Sequence, residues 1–354
     1  MRIILRHVML FIIVILLFNS SFQDQSKAFA KEVKSHPGHY VAVGPSFELS
    51  EIRYLNEPAV QGVNKRYYWR TLEPEKGVYD FSSIEKDLNY LATYDKQLIV
   101  FLIDRTFWIK GAMPDYLSEY ELNYGEDGFC PVRWHPVVVE RFVALGKAIG
   151  EKFDAHPNFE GVAIQESSLD MPEEDYKKFD YTAKRYSDAL TTILIRLQNN
   201  LPNSHVFWYQ NFMYNDDDGQ HLRQIADAIK DSEVIMGGPD ILPYNRWYNK
   251  ISYPLYQEYK NSITLFCSAQ DDSYKHYKND IRVAIQEPMD EDGYLSMEEI
   301  FLFARDSLHA RYLFWNYYYG ENDKGEWSYD DAIKVIKKYP TFNNAIGLSE
   351  DVEK

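Results

Sequence analysis

Short apolar runs alternate with longer amphipathic segments along most of this 354-residue chain. Apolar runs of this length, bounded by polar or turn-forming residues, are typical of strands buried on both faces. One example extends from Val162 to Ile164 and ends abruptly at Gln165 and Glu166. The predicted strands are Tyr40–Val43, Gly62–Trp69, Leu98–Ile103, Gly161–Gln165, Val206–Gln210, Val234–Gly238, then either Ile263–Ala269 or Arg282–Gln286, and Tyr312–Trp315.

Helical periodicity fills the stretches between these runs. In Ser82–Tyr94, Ile84, Leu88 and Leu91 recur at the spacing of one helix face. Because alternating strands and helices form a parallel sheet, and eight such units close on themselves, we predict an α/β fold, a (β/α)8 TIM barrel. A doubly wound open sheet is the alternative, but no G-x-G-x-x-G or P-loop supports it. The other predicted helices are Pro136–Phe153, Asp175–Leu201, Leu222–Ile229, Met297–Leu308 and Ala332–Ile336.

The N-terminus has the features of an export signal. Two arginines precede the apolar run Val8–Phe18, and positions 28–30 read Ala-Phe-Ala, the A-x-A form of a cleavage site. We therefore predict a signal peptide over residues 1–30, or an uncleaved membrane anchor, and a secreted, periplasmic or cell-surface protein. A single domain is predicted over residues 36–345, since no repeat, linker or charge block marks a boundary.

Composition narrows the possible ligands. The formal net charge of −16 argues against nucleic acid, which needs a basic surface. Aromatic residues make up 16% of the chain, an excess that suits either core packing or the stacking walls of a ligand cleft. The histidines lack metal-ligand spacing, so we predict no metal and no cofactor. No obligate protein partner is evident from the sequence. Two cysteines, Cys130 and Cys267, allow one disulfide at most.

The break from apolar Ile164 to Gln165 and Glu166 has two interpretations. A strand can end at a solvated glutamate without any function. Alternatively, a carboxylate placed where a buried strand reaches the surface suits general acid and base chemistry. In a TIM barrel the second interpretation gains weight, because active sites lie at the C-terminal ends of the strands.

A family resemblance begins at the second predicted strand. The stretch from Gly62 to Ser82 contains a strand, Trp69 and then Leu-Glu-Pro-Glu-Lys-Gly-Val-Tyr-Asp-Phe, and it resembles the second strand and following loop of clan A glycoside hydrolases. Pro74 and Gly77 suit a turn, so the motif is interpreted as scaffold. Alternation along this strand directs Asn64, Arg66 and Tyr68 into the barrel and Val63, Tyr67 and Trp69 towards the helices.

The resemblance implies an acid/base glutamate at the end of strand four, which is Glu166, preceded here by Gln165 where the clan usually has asparagine. It implies a nucleophile at the end of strand seven. If that strand is Arg282–Gln286, the nucleophile is Glu287, which is the favoured alternative. If the strand is Ser262–Ala269, it ends in Gln-Asp-Asp and offers no glutamate. The resemblance further implies that Trp315, on the eighth strand, lies under a sugar ring.

The predicted function is a retaining glycoside hydrolase that cleaves O-glycosidic bonds of a polysaccharide or oligosaccharide, with Glu166 and Glu287 as its catalytic pair. An alternative is a catalytically inactive, carbohydrate-binding barrel associated with exopolysaccharide handling. A weaker alternative is a metal hydrolase that uses the oxygen-rich stretch Asp216–Asp218, although a solvated loop is favoured there. The predicted substrate-binding residues are Gln165, Arg66, Tyr68, Asp104, Tyr209, Asn211 and Trp315.

Overall fold

A closed barrel of eight parallel strands forms the centre of the protein. The computed structural model describes residues 33–107, 111–123, 128–169, 173–274, 295–317 and 328–342. Each strand pairs with its predecessor in the chain, and the last pairs with the first through registers such as Gly38 opposite Tyr312. The predicted (β/α)8 fold is confirmed. The barrel strands are β1 Gly38–Val43, β2 Val60–Tyr68, β3 Gln97–Ile103, β4 Phe159–Ile164, β5 His205–Tyr209, β6 Val234–Gly238, β7 Leu265–Ala269 and β8 Tyr312–Asn316.

The seventh strand is the earlier of the two candidates. β7 pairs with β6 at Gly237–Phe266 and with β8 at Leu313–Cys267, so the place between them is filled. The prediction that residues 282–286 form strand seven is therefore wrong. Those residues lie outside the described part of the chain. The physical reason is burial, because every residue of Leu265–Ala269 is buried between the barrel interior and the helices.

Helices surround the barrel, and one predicted helix is divided in two. The stretch predicted as Asp175–Leu201 forms two helices, separated where Asp180 adopts a left-handed φ of 51° and Thr182 caps the second helix. The helices are Trp69–Leu72, Ser82–Ala92, Pro136–Phe153, Glu173–Lys178, Ala183–Asn199, Gln220–Ile229, Tyr253–Tyr259, Asp271–Tyr274, Met297–Leu302 and Tyr329–Lys338. Shorter elements are the 3-10 helices Leu49–Glu51 and Asp115–Tyr120, the π-helices Tyr248–Ser252 and Phe303–Ser307, and the antiparallel strands Glu121–Asn123 and Phe129–Pro131.

The core has two layers, and β2 shows how alternation divides them. Val63, Tyr67 and Trp69 belong to the outer layer between strands and helices, whereas Tyr68 packs against the layer inside the barrel. The predicted alternation of this strand is confirmed. The inner layer is rich in aromatic rings, and its members include Tyr40, Phe101, Phe207, Tyr209, Phe266, Tyr312 and Phe314.

A buried polar cluster lies at the N-terminal end of the barrel. Glu160, near the start of β4, is fully buried and accepts hydrogen bonds from the backbone N–H of His36 at 2.8 Å and the hydroxyl of Tyr312 at 2.7 Å. The His36 ring Nδ1 lies 2.6 Å from the second carboxylate oxygen. This hydrogen bond raises the pKa of His36 above its usual value. The cluster belongs to the end of the barrel that usually serves stability.

The Leu-Glu-Pro loop is scaffold, as predicted. Glu73 is fully buried and accepts hydrogen bonds from the indole N–H of Trp69 at 2.9 Å and the backbone N–H of Gly77 at 2.8 Å. Arg141 forms an ion pair with the same carboxylate. The glutamate therefore ties the loop to the helix behind it.

Both cysteines, Cys130 and Cys267, are buried and free, so no disulfide joins them. Among the helices of the described ranges, none combines the length and apolarity that a membrane span requires.

Candidate active site

A cleft of about 430 Å³ lies at the C-terminal ends of the barrel strands. In a TIM barrel this end carries the active site, because the loops after the strands can vary without disturbing the core. Aromatic rings and two guanidinium groups form much of its wall. The lining residues are Pro45, Arg66, Tyr68, Phe101, Ile103, Arg105, Thr106, Phe107, Gln165, Glu166, Tyr209, Pro239 and Gln270.

Glu166 brings a partly exposed carboxylate into this cleft. Its side chain is 20% exposed and follows the buried strand β4 by two residues. One carboxylate oxygen, Oε2, accepts a hydrogen bond from Nδ2 of Asn211. The other, Oε1, lies 3.8 Å from Nη1 of Arg105. A carboxyl group that is supported on one oxygen and accessible to the cleft can give and take a proton.

Gln165 lines the cleft, but its carbonyl is already used. Oε1 accepts hydrogen bonds from the backbone N–H groups of Asp104 at 2.8 Å and Arg105 at 2.7 Å. The side chain thereby joins the ends of β3 and β4. The amide N–H₂ is the end that can still donate to a ligand. The extra methylene of glutamine, compared with asparagine, gives the reach for this bridge.

Asp104 does not line the cleft, so its prediction as a substrate-binding residue is wrong. Its side chain is 4% exposed and forms a two-point ion pair with Arg133, at 2.7 Å to Nε and 2.6 Å to Nη2. Arg133 also donates to the backbone carbonyl of Glu166 and, at 3.1 Å, to the hydroxyl of Tyr186. The pair therefore positions the start of the Glu166 loop.

Sequence reasoning missed Arg133. Arg133 is 29 residues from Asp104 in the chain and precedes the helix Pro136–Phe153 without any recognisable motif. The one available signal was the aspartate at the end of β3, since a buried carboxylate requires a cation or several donors.

Arg66, Tyr68 and Tyr209, three of the predicted substrate-binding residues, all line the cleft. The ring of Tyr209 stacks on Phe101 with centroids 4.6 Å apart, and burial raises the pKa of its hydroxyl above the usual value. The guanidinium of Arg66 lies 5.7 Å from the centre of the same Phe101 ring. Arg66 makes no ion pair with a residue of the described ranges. A cation and a protonated phenol therefore both lie next to the Phe101 ring in the cleft wall.

Trp315 lies outside the cleft, and its prediction as a sugar platform is wrong. It is fully buried, and its indole N–H donates to Nδ1 of His39 at 3.0 Å. Along β8 the side chain of Phe314 faces the barrel interior, whereas Trp315 packs in the outer layer. Because side chains alternate along a strand, a shift of one position exchanges the two faces.

Asn211 is 6% exposed and contacts Glu166 without lining the cleft. The structure therefore brings it to the predicted site, but behind the carboxylate and not on the substrate side. Its backbone follows β5 and is held against Ser167 by hydrogen bonds of 2.7 and 2.8 Å.

Glu287, the predicted nucleophile, lies outside the described residues. At the end of β7 the residue that lines the cleft is Gln270. Asp271 begins the short helix that follows, Asp271–Tyr274. Among the described residues that line the cleft, Glu166 is the one carboxylate.

Asp216 serves as a helix cap and not as part of an ion site. Its side chain accepts hydrogen bonds from the backbone N–H groups of His221 at 3.0 Å and Leu222 at 3.2 Å, next to the helix Gln220–Ile229. In the part of the chain that the structure describes, no group of three or more histidine, cysteine or acidic side chains is arranged to hold a metal.

Comparison with solved structures shows the same fold in glycosidases. Endo-glycoceramidase II from Rhodococcus sp., as its lactosyl-enzyme intermediate, is similar with a TM-score of 0.54 and 12% identity over 84% of this chain and 78% of that one. Its iminocyclitol complex gives 0.53 and 12% over 86% and 80%. The β-galactosidase from Marinomonas ef1 gives 0.51 and 12%, over 86% of this chain and 59% of that longer chain. The resemblance drawn from the sequence is confirmed at the level of the fold.

No protein-family model matches the chain, and no curated protein matches it in sequence.

Proposed function

We propose that this protein is an exported, retaining glycoside hydrolase acting on a polysaccharide or oligosaccharide. The single observation that carries the proposal is the position of Glu166, a partly exposed carboxylate at the C-terminal end of β4 inside an aromatic cleft. The rings of Tyr68 and Phe107 offer apolar faces of the kind that sugars stack on. The fold is shared with endo-glycoceramidase II and a β-galactosidase, which gives further support.

In this mechanism Glu166 first acts as an acid. Its proton passes to the glycosidic oxygen while the bond from that oxygen to the anomeric carbon breaks, and a second carboxylate attacks the anomeric carbon to form a glycosyl-enzyme ester. Glu166, now ionised, then takes a proton from water. The resulting hydroxide equivalent attacks the same carbon, the ester bond breaks, and the sugar leaves with its original configuration.

Glu287 is the proposed nucleophile. It belongs to the connection between β7 and β8, which begins at the end of β7, where Gln270 lines the cleft. Asp271 and Asp272 are alternative candidates for the nucleophile, because they follow Gln270 directly in the chain. Retention requires a second carboxyl group about 5–5.5 Å from Glu166, and whichever residue supplies it must meet that distance.

Rescue by azide separates these roles. With aryl glycosides, Glu166→Gln should lower turnover by several orders of magnitude, and azide should restore activity on a dinitrophenyl leaving group with a product of retained configuration. A nucleophile variant should instead give an azide of inverted configuration. Comparing Glu287→Gln, Asp271→Asn and Asp272→Asn identifies the residue, because the variants of the other two positions keep the retained product. Wild-type turnover in Glu166→Gln would contradict the proposal.

One observation favours a second function, a carbohydrate-binding barrel without turnover. Gln270 occupies the end of β7, where the family resemblance implies a carboxylate. An amide there can hydrogen-bond a sugar but cannot form a glycosyl ester. Binding of oligosaccharides to the wild-type chain in a glycan array, with no reducing ends released over days, would support this function and exclude the first.

Export is the part of the proposal that rests on residues 1–30 alone. An N-terminal sequence that starts after Ala30 in protein recovered from outside the cytoplasm would support a cleaved signal peptide. An intact Met1 in the membrane fraction would support an uncleaved anchor.

A further inference from the structure

The strongest unassigned feature is the support behind the Glu166 carboxylate. Ser167, the next residue in the chain, is fully buried, and its hydroxyl donates to the backbone carbonyl of Asn211 at 2.7 Å. The same hydroxyl oxygen accepts from the backbone N–H of Asn211 at 2.8 Å. The backbone of Asn211 is thereby fixed relative to the neighbour of Glu166.

Only one orientation of the Asn211 side-chain amide forms hydrogen bonds with both of its neighbours. Its Oδ1 accepts from the backbone N–H of Phe212 at 2.8 Å, while Nδ2 donates to Oε2 of Glu166. A reversed amide would place its N–H₂ against the N–H of Phe212 and its oxygen against the carboxylate. Both contacts would then be repulsive, since an amide oxygen has no proton to give. Asn211 can therefore only donate to Glu166.

We propose that Asn211 is a positioning residue that assigns the transferable proton of Glu166 to Oε1. A proton on Oε2 would face the N–H of Asn211 directly. Oε1 has Nη1 of Arg105 at 3.8 Å, which is beyond hydrogen-bond distance, so the neutral acid carries its proton on Oε1. The inference rests on the proposed glycosidase function and specifies how its acid works. The proton leaves Oε1 for the glycosidic oxygen as the glycosidic bond breaks, and Oε1 takes a proton from water in the second step.

The contact places the Nδ2 donor of Asn211 on Oε2 of Glu166, and donors of this kind stabilise carboxylates in general. Its loss should keep Glu166 protonated to higher pH and leave the carboxyl less well aimed. Replacing the donor by a second carboxylate should have a larger effect in the same direction, since like charges at this distance oppose ionisation. A residue with only a packing role would change neither the pH profile nor the sensitivity to the leaving group.

The test uses Asn211→Asp, which has nearly the same shape as the wild type. Its control is Asn261→Asp, the same chemical change at an exposed position that precedes β7, at the opposite end of the barrel. The kcat/KM of aryl glycosides is measured against pH. For Asn211→Asp we expect the alkaline limb to move up by about one pH unit or more. Phenyl glycosides, which need the acid, should lose at least about tenfold more rate than dinitrophenyl glycosides. The control should match the wild type.

A second measurement does not depend on turnover. In full-length protein carrying ¹³C at glutamate carboxyl groups, the Glu166 signal is assigned by its loss in Glu166→Gln, and its titration midpoint is followed by NMR. Asn211→Asp, or Asn211→Ala if the first variant does not fold, should raise that midpoint. An unchanged midpoint overturns the inference. A raised midpoint in a protein that hydrolyses no glycoside supports the Asn211–Glu166 coupling and contradicts the proposed function.

Discussion

Asp104 and Arg133 form a buried two-point ion pair between the end of β3 and the segment before the helix Pro136–Phe153. Both side chains are 4% exposed, so neither charge is solvated. Arg133 also holds the backbone carbonyl of Glu166. The pair therefore links the stability of the barrel to the position of the proposed acid/base residue.

Arg133→Met should destabilise the fold strongly, because it leaves the Asp104 carboxylate buried without its cation. We expect a loss of about 3–5 kcal/mol in the free energy of unfolding, measured by urea titration. Arg196→Met is the matched control, since Arg196 forms an exposed ion pair with Glu140 and should lose less than about 1 kcal/mol. Equal losses in the two variants would show that Arg133 is not a structural cation.

Two substitutions at Gln165 distinguish the structural role of its carbonyl from a substrate-binding role of its N–H₂ group. Gln165→Asn withdraws the carbonyl that accepts from the backbone of Asp104 and Arg105, and should destabilise the fold by about 1–3 kcal/mol. Gln165→Glu keeps acceptor oxygens there but removes the N–H₂ donor, so it should retain more stability and raise KM. Urea unfolding and steady-state kinetics on both variants check this. A stable Gln165→Asn with wild-type kinetics would contradict the assigned bridge.

The parts of the site that follow strand periodicity could be predicted from the sequence. Arg66 and Tyr68 were placed in the barrel by alternation along β2, and Glu166 by the break at the end of an apolar run. These predictions depend on residues close together in the chain. The local signal is strong because burial on both faces of a strand leaves few alternatives.

Features that depend on pairing between distant segments could not be predicted. Two apolar runs competed for the seventh strand, and only the registers of Leu265–Ala269 with its neighbours decide between them. Arg133 pairs with Asp104 although 29 residues separate them in the chain, and that interval includes the two antiparallel strands outside the barrel. The prediction for Trp315 was wrong for a different reason, because the register of β8 decides which of its side chains face the barrel interior.

The His36–Glu160 pair predicts a pH-dependent contribution to stability. The hydrogen bond to Glu160 raises the pKa of His36 in the folded protein above 6.5, its ordinary value. The folded state thus binds the proton more tightly, and the contribution is fully present well below pH 6.5 and is lost as the pH rises through the raised value. Because the His36 side chain is 39% exposed, solvent screening keeps the effect small.

A double-mutant cycle with His36→Gln and Glu160→Gln isolates this coupling. The coupling free energy, obtained from urea unfolding, should be larger at pH 5.5 than at pH 8.5. A coupling that is the same at both pH values would show that protonated His36 adds nothing beyond the neutral hydrogen bond.

Trp315 should matter for stability and not for substrate. Its indole N–H donates to His39 Nδ1, and the opposite ring nitrogen of His39 donates to the carbonyl of Tyr339 at 2.8 Å. Burial lowers the pKa of His39 to about 4, so the ring is neutral and can accept from the indole while donating to the carbonyl. Trp315→Phe removes that donor and leaves Nδ1 of a buried histidine unpaired.

We therefore expect Trp315→Phe to lose about 1–3 kcal/mol of stability while the kcat/KM of the folded fraction stays within about twofold of the wild type. Phe107→Ala supplies the contrast, because Phe107 lines the cleft and is 41% exposed, so its loss should weaken substrate binding with little change in stability. The free energy of unfolding in urea should therefore fall for Trp315→Phe while KM stays unchanged. For Phe107→Ala, KM should rise while the free energy of unfolding changes little. A tenfold rise in KM for Trp315→Phe with unchanged stability would place that ring under the sugar after all.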